Sequence, residues 1–197
     1  MNTPASAAPA RFASAFITLR NNAVTRVAEP DESSETVGGD VFVQAMRGAA
    51  TGVNIVTTDG AAGRFGLTVS AFSSVSAEPP MVLVCINSRS PACKAIHRNR
   101  RFCVNVLSEA QRAVADSFAG HPATGRAYDF GVASWTVSQT GSPILDKSIA
   151  SFDCAVATVI DAGSHSIFVG AVKDVTSNAA SPLLYTGGSY RRAGNKL

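Results

Sequence analysis

From Asp40 onward the chain is a succession of short apolar runs punctuated by turn residues, a pattern that predicts many short strands and few helices. Asp40 caps a short helix running to Ala50, with Phe42 and Met46 on one face. Thr51-Gly52 ends it, Val53-Asn-Ile-Val-Thr-Thr58 is a strand, and Asp59-Gly60 is a turn pair. A second strand begins near Arg64 and enters a hydroxyl-rich loop, Leu67-Thr-Val-Ser-Ala-Phe-Ser-Ser-Val-Ser-Ala-Glu-Pro-Pro80. Met81–Ile86 is continuously apolar and of strand length, hence expected to be buried on both faces.

Ser90 and Pro91 then suit the N-cap and first position of a helix. Phe102–Leu107 reads as a strand, and Ser108-Glu-Ala-Gln111 has the form of a capping box opening a helix to about Ala119, stopped by Gly120. Residues 120–147 are turn-rich and carry the single tryptophan, Trp135; loops of that length are often functional. Alternating positions from Ile149 to Val156, then Thr158–Ile160, Ser166–Val172 and Pro182–Tyr190, supply the remaining strands. Five to seven strands with few short helices predict a mainly β fold, a barrel rather than a doubly wound sheet, in one domain over 40–192.

Composition changes this picture at the ends and the surface. Residues 1–39 are rich in Ala, Ser and Pro, then acidic through Glu29, Asp31, Glu32 and Glu35, which predicts a mostly disordered arm; 193–197 form a short tail. Charged residues are only 16% of the 197, so part of the surface is expected to lie under a second subunit. A net charge of +3 gives no indication of nucleic acid, and no apolar run has the roughly 18–20 residues of a membrane-spanning helix. The four cysteines, Cys85, Cys93, Cys103 and Cys154, form no C-x-x-C pair and have no histidine at zinc-site spacing, so no metal site is expected. Cysteines inside apolar runs behave as small hydrophobes and fit a reducing cytoplasm.

Three places carry candidate chemistry. Ser88, Arg89, Ser90 and Lys94 surround a capped helix start, where free amides and the helix dipole favour an anion; an ordinary surface helix with solvated arginines accounts for the same residues. His165, in Gly163-Ser-His-Ser-Ile-Phe168, stands at a turn entering a strand, either aimed at a pocket mouth or simply exposed. Asn105, a polar amide in an apolar strand, must find partners, in a ligand or in neighbouring backbone. His97 and His121 have no such context and are expected at the surface.

Taken together the segments resemble the short-chain flavin reductases, the reductase components of two-component flavin-dependent monooxygenases. The resemblance covers most of residues 40–192. It rests on the order and spacing of Thr51-Gly-Val-x-Ile-Val-Thr-Thr58, Gly66–Ser76, Pro79-Pro80, Val104–Leu107, the Gly-x-His-x-Ile-Phe-x-Gly segment 163–170, and Leu184-Tyr-x-x-Gly188 with Tyr190. It implies a homodimeric FMN-binding split β-barrel that uses NADH or NADPH to reduce FMN or FAD, passing reduced flavin by diffusion to an oxygenase. Thr68, Val69, Ser70 and Ala71, with Ser73, Ser74, Val75 and Ser76, would hold the ring and ribityl chain. Ser88, Arg89, Ser90 and Lys94 would take the phosphate, and Asn105 would approach the ring. His165 would sit by the nicotinamide as the catalytic-site histidine, with Tyr190 and Arg191 helping to hold the dinucleotide.

One position departs from the family pattern. Ser164 stands where the family commonly has Asp, which bears on nicotinamide affinity and on the choice between NADH and NADPH. Two other readings keep the fold: a flavin-binding module without turnover, and an FMN-dependent oxidase of the wider split-barrel group. The Gly-x-His segment and the terminal tyrosine favour the reductase.

Overall fold

The computed structural model of the chain describes residues 36–194. The arm expected over 1–39 and the tail expected over 193–197 therefore lie largely outside the described residues. Helix α1 (Gly39–Met46) is shorter than the sequence suggests and buries none of its residues. The Thr51-Gly52 pair does not merely end it: those residues form strand β1, pairing with Tyr185 and Leu184 of β11 (Leu183–Thr186). β12 (Ser189–Arg192) completes this small sheet across a tight turn at Gly187-Gly188, whose positive φ values of 60° and 76° suit glycine.

The main sheet has seven antiparallel strands in the order β3-β2-β6-β9-β10-β5-β4. They are β2 (Asn54–Thr58), β3 (Phe65–Val69), β4 (Phe72–Ala77), β5 (Pro80–Asn87), β6 (Arg101–Val106), β9 (Ala150–Ala162) and β10 (His165–Ser177). The edge strands β3 and β4 are joined by Ser70-Ala71 alone, so the sheet curls until its two ends are neighbours without pairing. This is the split barrel. Here the structure corrects the sequence reading, because the hydroxyl-rich loop is only two residues long and Phe72–Ala77 is strand. Pro80, given to the end of that loop, is the first residue of β5.

Inside the barrel Val56, Val82, Val84, Ile86, Phe102, Val104, Cys154 and Phe168 form one core, with Cys93 and Ile96 of helix α2 (Pro91–Asn99) packed among them. A second core lies on the outer face of β2, where Val53 and Ile55 meet Leu107, Leu183 and helix α3 (Arg112–Phe118). Double-sided burial therefore belongs to β2, all of whose residues are buried. In β5 it was expected but burial alternates, with Val82, Val84 and Ile86 inward and Met81, Leu83 and Cys85 half-buried.

The long segment 120–147 folds back as the hairpin of β7 (Trp135–Val137) and β8 (Pro143–Leu145) over the outer core. Two buried polar groups pin it. Asp153 accepts hydrogen bonds from Ser138 Oγ at 2.8 Å, Thr140 Oγ1 at 2.6 Å and Thr140 N at 2.8 Å. Asn105, wholly buried, donates to Ile55 O and accepts from Leu145 N at 2.8 Å and Ser151 Oγ at 2.9 Å.

Asn105→Ala would leave the Leu145 and Ser151 donors without that acceptor. Urea unfolding should show a loss of about 2–4 kcal/mol. The same measurement on Gly170→Ala should also show destabilisation, since a Cβ there would come within 2.5 Å of Phe102 Cζ and 2.8 Å of Cys154 Cβ.

Candidate active site

Two cavities flank β3 on the face carrying Gly66, Thr68 and Ser70. The first, of about 700 Å³, is lined by Thr68 and Ser70, by Arg112, Asp116, Ala119 and His121 on and after α3, and by Tyr185, Gly188, Ser189, Tyr190 and Arg191 of the β11–β12 hairpin. Thr68 donates its hydroxyl hydrogen to Ala115 O at 2.7 Å, which ties α3 to β3. Arg112 lies over the Tyr190 ring at 5.4 Å, and its Nε is 3.7 Å from Asp116. Burial, reinforced by the nearby Asp116 carboxylate, pushes the Tyr190 phenol up to about 12, so it faces the cavity uncharged at neutral pH.

The second cavity, of about 550 Å³, is lined by Arg64, Phe65 and Gly66, by Asn87, Arg89, Ser90, Pro91 and Ala92 at the start of α2, and by Tyr128 and Phe130. Gly66 and Thr68 are successive residues of one strand face, so the two cavities lie side by side along β3. Gly66 permits this arrangement, because a Cβ there would come within 2.7 Å of the Phe118 ring and 3.3 Å of Phe130. Among the described residues the far edge of β3 has no strand partner, which leaves its alternate backbone N–H and C=O groups outside any ladder.

Ser90 caps α2 as the sequence implies, but the cap changes the expected anion site. The first amides are already used: Ala92 N donates to Ser90 Oγ at 3.2 Å and Cys93 N to Ser90 O at 3.1 Å. An anion there would meet the exposed Arg89 and Lys94 side chains, the Ser88 hydroxyl and the helix dipole. Of the four residues expected at this corner, Arg89 and Ser90 line the second cavity while Ser88 and Lys94 line neither.

The other anticipated residues are spread more widely. His165 is exposed at the start of β10, paired across the ladder with Asn87, which lines the second cavity. Its Nδ1 is 2.9 Å from Ser164 Oγ. Tyr190 and Arg191 line the first cavity instead, so the chain does not gather the three residues in one place. Ser73, Ser74 and Val75 are exposed on β4, with a bulge in the ladder between Ser74 and Ser76. Val69 is buried in the core and offers only backbone, and the Ala71 carbonyl already accepts from Cys85 N. Asn105 lines neither cavity; its amide is spent on the protein interior, the second of the two possibilities open from sequence.

The flavin reductase-like domain model matches residues 46–194. The chain belongs to that family. FMN reductase (NADH) RutF 2 of Methylorubrum extorquens (strain PA1) is 38% identical over 158 residues, covering 80% of this chain and 91% of that protein. The solved structure of a Mycobacterium thermoresistibile homologue of nitrilotriacetate monooxygenase component B has a TM-score of 0.72 at 34% identity, over 79% of this chain and 86% of that one. The Streptomyces globisporus C-1027 NADH:FAD oxidoreductase SgcE6, in complex with NAD and FAD fragments, has a TM-score of 0.72 at 30% identity, over 82% and 98%.

In this flavin reductase-like chain the residues that sequence reading missed come mostly from α3 and from the segment after it. Arg112 and Asp116 carried a legible signal, an i,i+4 charge pair just inside a capped helix. His121 did not; it is exposed, as expected, yet lines the first cavity.

The Tyr190 environment is open to titration. Absorbance at the phenolate band, with Tyr190→Phe subtracted, should give a midpoint of about 12. Asp116→Asn should lower it and Arg112→Gln should raise it. Because the folded protein keeps a proton that the unfolded chain releases near 10.0, this group should make stability fall as pH rises from there to about 12.

Proposed function

We propose that this protein is an NADH:flavin oxidoreductase that binds FMN or FAD in the groove along β3 and releases it reduced. The observation that carries this reading is the pairing of two cavities along one strand, with hydroxyls and backbone at one end and Arg89 and Ser90 at the other, where the exposed Lys94 lies on the same helix. Those groups fit a flavin: open backbone and the Ser70 hydroxyl for the polar ring edge and ribityl chain, cations for the phosphate. Bound flavin supplies a two-electron acceptor that NADH can reduce and that passes electrons onward.

The chain's own residues bind and orient. With Tyr190 uncharged, Arg112 and Arg191 outweigh Asp116 and leave the first cavity net positive, which favours negative charge developing on a ligand. His165, steadied by Ser164, acts as a positioning residue for the nicotinamide rather than as an acid. Thr68, Ala71 and the β4 residues Ser73–Ser76 extend the set that would touch flavin. The exposed lining of the first cavity suits a flavin that must enter and leave.

We further propose that reduced flavin serves a separate oxygenase, a reading supported by the likeness to a monooxygenase component B, and that the protein works as a homodimer. Val41, Phe42, Val43 and Met46 of α1 are each at least half exposed, and such an apolar helix needs a cover. The four free cysteines agree with a reducing cytoplasm. Among the described residues no helix is long and apolar enough to cross a membrane.

Oxidation of NADH and of NADPH, followed with FMN, FAD or riboflavin added, tests the reading directly. Rapid flavin-dependent oxidation supports it; stoichiometric flavin binding without oxidation with any pair points to a binding module instead. Arg89→Ala with Lys94→Ala should raise the KM for FMN about 10-fold, the scale of losing one or two charge-assisted contacts, and leave that for riboflavin unchanged. His165→Ala should raise the KM for NADH more than it lowers kcat; an unchanged KM would remove His165 from the nicotinamide site.

A further inference from the structure

The second cavity holds more than a phosphate requires. Beyond Arg89 and Ser90 its wall is aromatic, formed by Phe65, Tyr128 and Phe130. The Arg64 guanidinium stacks over Phe130 at 5.5 Å and is itself held by Asp59, Nε to Oδ2 at 2.7 Å. Phe118, Phe130 and Trp135 pack on one another with centroids 5.0 to 5.6 Å apart. Tyr128 is in none of these ring pairs.

Its position is nonetheless fixed. The backbone at Tyr128 is left-handed, with φ of 58°, a conformation a bulky side chain rarely takes. Its N–H donates to Ser117 O at 2.9 Å. The phenol lies across Gly120, where a Cβ would come within 2.8 Å of the Tyr128 hydroxyl oxygen. Held in this way the residue is still 56% exposed on the cavity wall. A constrained aromatic face, open to solvent and set beside a phosphate-binding corner, has the chemistry of a stacking platform for a nucleotide base.

We propose that Tyr128 is the stacking platform for an adenine ring whose phosphate sits at Arg89 and Ser90. The proposal rests on the flavin reading of the groove and deepens it. FMN ends at the phosphate corner, whereas a dinucleotide continues past it onto Tyr128. Two ligands carry such an adenylate, FAD and the nicotinamide dinucleotide, and the test separates them.

Dissociation constants for FMN, FAD, NAD+ and AMP would be measured by calorimetry on the wild-type protein, Tyr128→Asn and Tyr128→Phe. Asparagine tolerates the left-handed backbone while removing the ring, and phenylalanine keeps the ring. We expect Tyr128→Asn to weaken FAD and AMP about 10-fold, within the range of one lost base–aromatic stack, with FMN unchanged and Tyr128→Phe near wild type. Weakening of NAD+ and AMP, with FMN and FAD both unchanged, assigns the platform to the nicotinamide dinucleotide. Equal losses for FMN and FAD, or no loss for any ligand, overturn the proposal. Should the wild type bind AMP through Tyr128 but no flavin, the flavin reading falls and the platform stands.

Discussion

A strand edge left without a partner inside a fold costs hydrogen bonds, and among the described residues the edge along β3 has none. The main sheet has curled far enough to bring its ends together, yet β3 and β4 are joined by only two residues and do not pair. Everything proposed about the site depends on that opening. Closing the barrel by strand pairing would satisfy the edge backbone that now faces the groove. Helices α2 and α3 pack beside β3, α2 by inserting Ile96 into the barrel core and α3 by the bond from Thr68 to Ala115 O. Gly66 contributes by what it lacks, since any larger residue would push the Phe118 and Phe130 rings off the strand.

The two ends of the groove differ in electrostatics. At the α2 end the cations are exposed and the first helix amides are already satisfied, so an anion there would be held by exposed side chains. At the β11–β12 end the charges are held against an aromatic ring. Arg112 touches both the Tyr190 ring and Asp116, and the phenol stays protonated because its anion would be both partly buried and beside the Asp116 carboxylate.

Rigidity comes from buried polar groups in the outer layer. Asp153 accepts three hydrogen bonds from Ser138 and Thr140, and Asn105 accepts one from Leu145 N, fixing a hairpin that would otherwise be a long surface loop. Through Trp135 that hairpin supports Phe130 and Phe118, and so the roof of the second cavity. The charge and amide that look most functional in these strands are spent on shape.

Much was legible along the chain because it depends on a few neighbouring residues. The Ser90-Pro91 helix start, the capping box at Ser108, the glycine stop at Gly120 and most strands follow from local chemistry, and the motif order carried the family and the barrel. Other features were decided only in three dimensions. Apolar runs look alike whether covered once or twice, so double-sided burial belonged to β2 rather than β5. The register that sets Ile55 opposite Asn105 turned a candidate ligand contact into a core bond. Long-range pairing placed His165 beside Asn87, away from the cavity that Tyr190 lines. Sequence determines where strands and caps occur because those signals are local; which side chains share a cavity is fixed by pairing between distant residues, which leaves no local trace.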